Sequence, residues 1–251
     1  MAQQDGGVGG DSLYRPSYWR TVLFTPAVIA ETLTLATVTL FMRCISRGAA
    51  FGVGRVWSWI WLWMFGARVT VHGLDRLERG KRYVFVSNHQ SACDIPLLYG
   101  SLPFRISFIS KKELMQIPIF GWGTAAAGHI AIDRSNARKA RKTIAAALEK
   151  LRRGNASLVI FPEGTRSADG TVGEFKTGSF RLAIDAGVEV VPLAIQGTRR
   201  VQPKGSWVVH PGPVSLSIGE PIPVEGLLRN DKAGLAQMVR SRVLELMIDD
   251  R

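Results

Sequence analysis

Cysteine is scarce. Only Cys44 and Cys93 occur in 251 residues, and their surroundings are unlike. Two such thiols cannot build the disulfide framework of a small secreted domain, so a reducing compartment is expected. Histidine is nearly as sparse. His72, His89, His129 and His210 lie far apart, and no Cys/His cluster has metal-ligand spacing, so neither a metal nor a cofactor is expected. Acidic side chains are outnumbered: 20 Asp and Glu stand against 32 Lys and Arg, a net charge of +12. That imbalance calls for an anionic partner: nucleic acid, an acidic substrate or the anionic face of a membrane. The basic residues are scattered through an apolar chain and form no nucleic-acid-binding motif, so nucleic acid is set aside. Past a Gly-rich polar tail at 1–12 there is no low-complexity segment and no internal repeat. Hydrophobic residues make up 46% of the chain, which excludes a disordered one.

Two apolar stretches follow the tail. The first is TVLFTPAVIAETLTLATVTLF, 21–41, and the second is GAAFGVGRVWSWIWLWMFGA, 48–67; MRCISR separates them. Each has about the ~20 residues that cross a bilayer. Neither is a clean span, since Pro26 and Glu31 interrupt the first and Arg55 the second. Trp57, Trp59, Trp61 and Trp63 crowd into seven residues of the second stretch. Trp favours the headgroup level, so this crowding suits a helix lying in or dipping into one leaflet. A buried helical hairpin of a soluble core is the alternative. The expected arrangement is a membrane-associated two-helix hairpin over 1–67 that returns the chain to its starting side. The rest, 68–251, would then lie on the cytoplasmic side.

From residue 68 strands and helices alternate. Strands are predicted at 68–73, 82–87, 105–110, 157–161 and 188–195, with two more inside 206–224. Helices are predicted at 137–154, 178–187 and 233–250, the first two ending at Gly154 and Gly187. This is an α/β pattern: a mixed, largely parallel sheet flanked by helices.

Residues 87–96 read SNHQSACDIP, straight after the apolar YVFV. Residues five apart on a helix are turned about 140° from each other. His89 and Asp94 therefore meet only if His89 sits in the turn leaving the strand and Asp94 opens the next helix. Pro96 fits that, because proline is welcome in a first helical turn. Asp94 would then fix one imidazole nitrogen and leave the other as an acceptor, the base–orienter half of a triad. Ser91 and Cys93 are not evidently placed as nucleophiles, so the pair would deprotonate a hydroxyl of the substrate. A His and an Asp that merely cap a helix would look the same in sequence.

A second strand runs into a polar turn at LVIFPEGTRS, 158–167. Pro162 stops the strand, and Glu163, Thr165 and Arg166 are expected to project from the turn around Gly164. Arg suits a phosphate through its planar fork. If both strands are parallel, His89 and Arg166 share the carboxyl edge, where open α/β sheets bind ligands. Between the two blocks, SKKELMQIPIFGWGTAAAGHIAIDR (110–134) offers Lys111, Lys112 and Arg134 around an apolar middle that could wall a groove or pack in the core.

Together these stretches resemble the 1-acyl-sn-glycerol-3-phosphate acyltransferase (lysophosphatidic acid acyltransferase) family, over about residues 70–220. NHQSACD matches its N-H-x4-D block and FPEGTRS its third block in full. GHIAIDR, 128–134, is similar to its second block, with Ala131 where an aromatic is usual, and VVPLAI, 190–195, to its fourth. The resemblance implies that His89 is the general base and Asp94 its orienter. It implies that Lys111 (or its neighbour Lys112), Arg134 and Arg166 hold the acceptor's phosphate, with Glu163, Gly164 and Thr165 shaping that site. The implied reaction moves an acyl group from acyl-CoA or acyl-carrier protein to the sn-2 hydroxyl of lysophosphatidic acid, with no acyl-enzyme. Acyltransferases using another acceptor (another lysophospholipid, a lyso-ornithine lipid or glycerol 3-phosphate) would carry the same two main blocks. A non-catalytic membrane-binding protein of this fold would have no need of His89 and Asp94.

Overall fold

Short β-branched and aromatic runs make the sheet. The computed structural model describes residues 13–132 and 156–248, together with Thr143, Ala147, Glu149 and Leu151. Within them the strands are β1 (Ala67–His72), β2 (Val84–Ser87), β3 (Ile106–Lys111), β4 (Ile130–Ile132), β5 (Ser157–Ile160), β6 (Val190–Gln196) and β7 (Gly212–Ile218). Their order is β1-β7-β6-β2-β5-β3-β4. Every neighbouring pair is parallel except β6 and β7. β2 and β5 are buried on both faces, which is why they read as unbroken apolar runs. Edge strand β1 instead alternates, with Val69 and Val71 packed against the core and Arg68, Thr70 and His72 exposed.

The longer helices are α1 (Tyr18–Ile45), α2 (Arg47–Met64), α3 (Asp94–Ser101), α4 (Phe120–Ala126), α5 (Gly178–Ala186) and α6 (Lys232–Ile248), with single turns at Lys112–Met115 and Thr198–Val201. One core lies between the sheet and α2 and α3, where Trp61, Leu62, Leu97 and Leu98 meet Phe85 and Val191. The other lies against α5 and α6, where Phe180, Leu182, Val239 and Val243 meet Val84, Val86 and Leu158. Successive residues of β2 thus feed opposite layers, as its pleat requires.

The α/β architecture and the paired N-terminal helices are as predicted, with local differences. α1 and α2 are joined by Ser46 alone, so most of MRCISR is helical. Ser46 caps α2, its side-chain oxygen accepting from the Ala49 N–H at 3.0 Å. α1 is, among the described residues, the helix long and apolar enough to cross a membrane. Two of the four clustered tryptophans face inward. Trp61 is 7% exposed, and Trp57 donates its indole N–H to Thr32 at 2.9 Å, whereas Trp59 and Trp63 are 45% and 67% exposed. Residues four apart share a helix face, so the cluster splits two and two.

The stretch 206–224 holds one strand, not two: after β7, Ile222 makes only an isolated bridge to Val190. Pro221 and Pro223 flank it and have no N–H for a ladder. Of the predicted helix 137–154, Thr143, Ala147, Glu149 and Leu151 are helical, and its other residues lie outside the described ones.

Candidate active site

β2 ends with its polar groups fully engaged. The Asn88 amide donates to the Ile195 carbonyl at 2.9 Å and accepts from the Ile195 N–H at 2.8 Å, mimicking a strand partner at the end of β6. Asn88 is buried, so Asn88→Ala strands both Ile195 groups away from water. A loss of about 2 kcal/mol or more is expected, read as a lower urea midpoint at unchanged slope.

The chain then turns, and His89 faces Asp94 across the first turn of α3. Nδ1 stands 2.8 Å from Oδ2. The same carboxylate oxygen accepts from the Gln90 N–H at 2.7 Å and the Ser91 N–H at 2.9 Å. A carboxylate only accepts, so Nδ1 carries the hydrogen and Nε2 is left with a free lone pair. Asp94 is fully buried, and its second oxygen, Oδ1, meets no donor. The imidazole is 18% exposed and stacks on Phe161, ring centroids 4.0 Å apart.

Phe161 begins the turn after β5, and this turn is tied to the His89 loop by backbone. The His89 N–H donates to Glu163 Oε1 at 2.8 Å, and the Ser167 N–H donates to the His89 carbonyl at 2.8 Å. Glu163 Oε2 accepts from the Gly173 N–H at 3.1 Å. Glu163 thus staples two loops and does not line the cavity beside His89. Burial pushes its carboxyl above the usual range, against the pull of those two N–H donors. Gly164 takes a left-handed conformation, φ +78°, and a β-carbon there would stand 2.8 Å from Lys176 Nζ.

His89 lines a cavity of about 1050 Å³. That is at the upper end of small-molecule sites, about 300–1,000 Å³. Its polar end is lined by Lys111, Gly164, Thr165, Arg166, Lys176 and Lys204. Of the two candidate lysines, Lys111 lines it and Lys112 does not. Arg134 lies outside the described residues. Lys176 and Lys204 escaped the sequence reading; Lys204 Nζ holds the Arg166 carbonyl at 2.9 Å. A basic pair 10 and 38 residues from Arg166 carries no local signal. The cavity's apolar lining includes Tyr99 and Phe108, Leu35 and Ala36 of α1, and Trp57 and Trp61 of α2. Among the described residues no group of three or more His, Cys, Asp or Glu is placed to hold a metal ion.

The site combines a held imidazole with an open nitrogen, a cationic rim and an apolar trough. That set can deprotonate a hydroxyl on an anionic molecule with a long apolar tail. Residues 68–196 match the family model described as Acyltransferase. The chain is 34% identical to the 1-acyl-sn-glycerol-3-phosphate acyltransferase of Pseudomonas aeruginosa, over 92% of this chain and 91% of that one. It is 36% identical to the chloroplastic enzyme of that name from Arabidopsis thaliana, over 78% of this chain but only 53% of the plant protein. The chain thus spans about half the length of that relative. The fold is similar to the crystal structure of the 1-acyl-sn-glycerophosphate (LPA) acyltransferase PlsC from Thermotoga maritima, with a TM-score of 0.76 and 28% identity over 90% of this chain and 95% of that one. On these matches the chain belongs to the 1-acyl-sn-glycerol-3-phosphate acyltransferase family.

Proposed function

We propose that this protein is a membrane-bound 1-acylglycerol-3-phosphate O-acyltransferase. It moves a fatty acyl group from an acyl thioester to the sn-2 hydroxyl of 1-acylglycerol 3-phosphate, giving phosphatidic acid. The observation that carries this reading is that one cavity is lined by His89, by the cations Lys111, Arg166, Lys176 and Lys204, and by apolar side chains of α1 and α2. A lysophospholipid brings a matching set of parts: phosphate, free hydroxyl and acyl chain.

In this mechanism Lys111 and Arg166, with Lys176 and Lys204, hold the phosphate. Arg134 is assigned to the same task from its sequence block. Gly164 lets the backbone pass close to that group, Thr165 offers a hydroxyl beside it, and Glu163 keeps the loop in register with His89. His89 Nε2 takes the proton of the sn-2 hydroxyl while Asp94 stabilises the imidazolium that forms. The oxygen attacks the thioester carbonyl, the carbon–sulfur bond breaks, and the imidazolium returns its proton to the leaving thiolate. No enzyme side chain is acylated.

The exposed apolar side chains of the paired helices support membrane attachment. Tyr18, Trp19, Val22 and Leu23 of α1 and Val56, Trp59 and Trp63 of α2 all face outward. So large an apolar surface, beside a chain of net charge +12, suits an anionic leaflet. In this reading 1–67 is the anchor, and 68–251 works at the cytoplasmic surface. Replacing Trp59 and Trp63 together by Ser should weaken liposome partitioning on the order of tenfold, with a modest fall in Tm because Trp63 also packs on Phe24. Flotation of wild-type and variant protein with anionic vesicles measures this.

The decisive assay gives purified protein a panel of lyso-lipids and glycerol 3-phosphate with one labelled thioester. Lysophosphatidic acid should give the highest kcat/KM. A lyso-ornithine lipid or another lysophospholipid ranking first would replace the acceptor named here.

A further inference from the structure

Between β3 and α4 the chain forms a tongue, KELMQIPIF, residues 112–120. Its apolar side chains Leu114, Ile117 and Ile119 stand exposed, and so does Trp122 in the first turn of α4. The tongue is closed at its base. The Gly121 N–H donates to the Ile117 carbonyl and the Gly123 N–H to the Ile119 carbonyl, both at 2.8 Å. Gly121 also lies so close to the Met115 carbonyl that a β-carbon would not fit.

At the tip the backbone is strained. The Phe120 N–H donates to the Pro118 carbonyl at 2.7 Å, and Ile119 between them has φ +65° and ψ −59°. This is the rare hand of γ-turn, and a β-branched residue at positive φ is a genuine outlier. Among the described residues Ile119 is the one non-glycine residue with positive φ. Glycine would make the same turn without steric cost. The chain holds an isoleucine there instead, and that side chain is exposed, so it gains little burial in return. Strain kept at an exposed apolar side chain puts the compensation outside the folded chain.

We infer that the tip of this tongue inserts into the lipid leaflet beside α1, a membrane contact made by the catalytic region itself. The inference rests on the membrane attachment proposed above and adds to it a surface outside the paired helices. Continuity with α1 argues for lipid as the occupant. α4 packs directly on α1, where a β-carbon on Gly123 would stand 2.6 Å from Ala36 Cβ. Seven residues before Ala36 is nearly two turns, hence the same face of α1, and Ile29 at that position is exposed as well. Leu114 and Phe120 line the catalytic cavity together with Leu35 and Ala36 of α1. The tongue thus carries the outward apolar surface of α1 on to the edge of the cavity. An aliphatic tip with a tryptophan beside it also has the composition of a segment that dips into a leaflet.

The test uses the full chain with C44S, which removes the exposed thiol and leaves the buried Cys93. A polarity-sensitive fluorophore is attached at I117C or, as a control on the exposed face of α6, at Q237C. With vesicles of phosphatidylglycerol and phosphatidylethanolamine, the label at 117 should shift to the blue and be quenched by nitroxides on the lipid acyl chains. The label at 237 should do neither. I117S/W122S should weaken vesicle binding about tenfold, as expected when buried apolar side chains are lost. Its turnover of a short-chain, monomeric lysophosphatidic acid should stay within about twofold of wild type, since neither side chain lines the cavity. I119G separates insertion from folding: it relieves the turn, so Tm should hold or rise while vesicle binding falls. A label at 117 that stays in water on vesicles overturns the inference, as does one that shifts without lipid through self-association. An I117S/W122S variant that binds vesicles like wild type, or that loses the monomeric substrate equally, also overturns it. If wild type acylates no lysophosphatidic acid yet residue 117 inserts, the acceptor assignment fails and the tongue stands. If W59S/W63S weakens vesicle binding while residue 117 stays in water, the helical anchor stands and the tongue falls.

Discussion

His89→Ala should lower turnover by about 10²–10⁴-fold while leaving the fold and liposome binding unchanged, since that range is typical when a general base is lost. The two effects separate because of how the loop is held. The His89 N–H donates to Glu163 and its carbonyl accepts from Ser167, so neither bond needs the imidazole. Asp94 keeps its two backbone donors, Gln90 and Ser91. What disappears is one partly exposed ring, stacked on Phe161. Single-turnover rates with labelled thioester, beside circular dichroism and thermal melting, check both halves. Activity within a few-fold of wild type would remove His89 from the chemistry.

Asp94→Asn should cost nearly as much rate and also some stability. One oxygen of this carboxylate receives three donors, and the site is fully buried. An amide can sit there in two ways. With its oxygen toward the three donors, the NH₂ takes the place of Oδ1, where no partner waits. That leaves a buried unsatisfied donor, worth about 1–3 kcal/mol, and no charge to stabilise the imidazolium. With its NH₂ toward the donors, two backbone N–H groups are opposed and His89 is forced into the tautomer whose outer nitrogen already carries hydrogen. The first orientation keeps the base but removes the charge behind it, and the second abolishes the base; a drop of about 10⁴-fold is the precedent for the wrong tautomer in a serine-protease triad. Measurement of kcat/KM and of the urea midpoint tests both effects. An Asn variant active to within tenfold of wild type, and equally stable, would leave Asp94 with no role in orienting the base.

The layout of the catalytic edge was readable because it rests on local signals. A hydrophobic run ends at Ser87, a proline follows at 96, and only one placement lets His89 reach Asp94; the structure has that placement. The strands after Arg82 and Asn155 are short, apolar and bounded by polar turns, and β2 and β5 do lie parallel and adjacent. Other features depend on partners remote in the chain. α4 contains Gly121 and Gly123, poor helix formers. A β-carbon on Gly121 would run into the Met115 carbonyl, and one on Gly123 would stand 2.6 Å from Ala36 Cβ on α1, the second a constraint invisible in its own segment. The Glu163 turn looks like a set of projecting side chains, yet its carboxylate is drawn inward by amides 74 and 10 residues away. Asn88 stood in plain view beside His89, but its partner Ile195 lies 107 residues on. β4 is three residues long, too brief for its period to register.

Because residues of α1 and α2 line the cavity beside His89, the proposed anchor and the proposed chemistry cannot be cut apart. A shortened protein beginning at β1 would lose Trp61, Leu62 and Phe65 from its core and open the trough to water. The same architecture sets a trap for purification. Under the proposed function, any surfactant that lifts the protein from a bilayer has a polar head and a greasy tail, and so it resembles the lysophospholipid assigned to the trough.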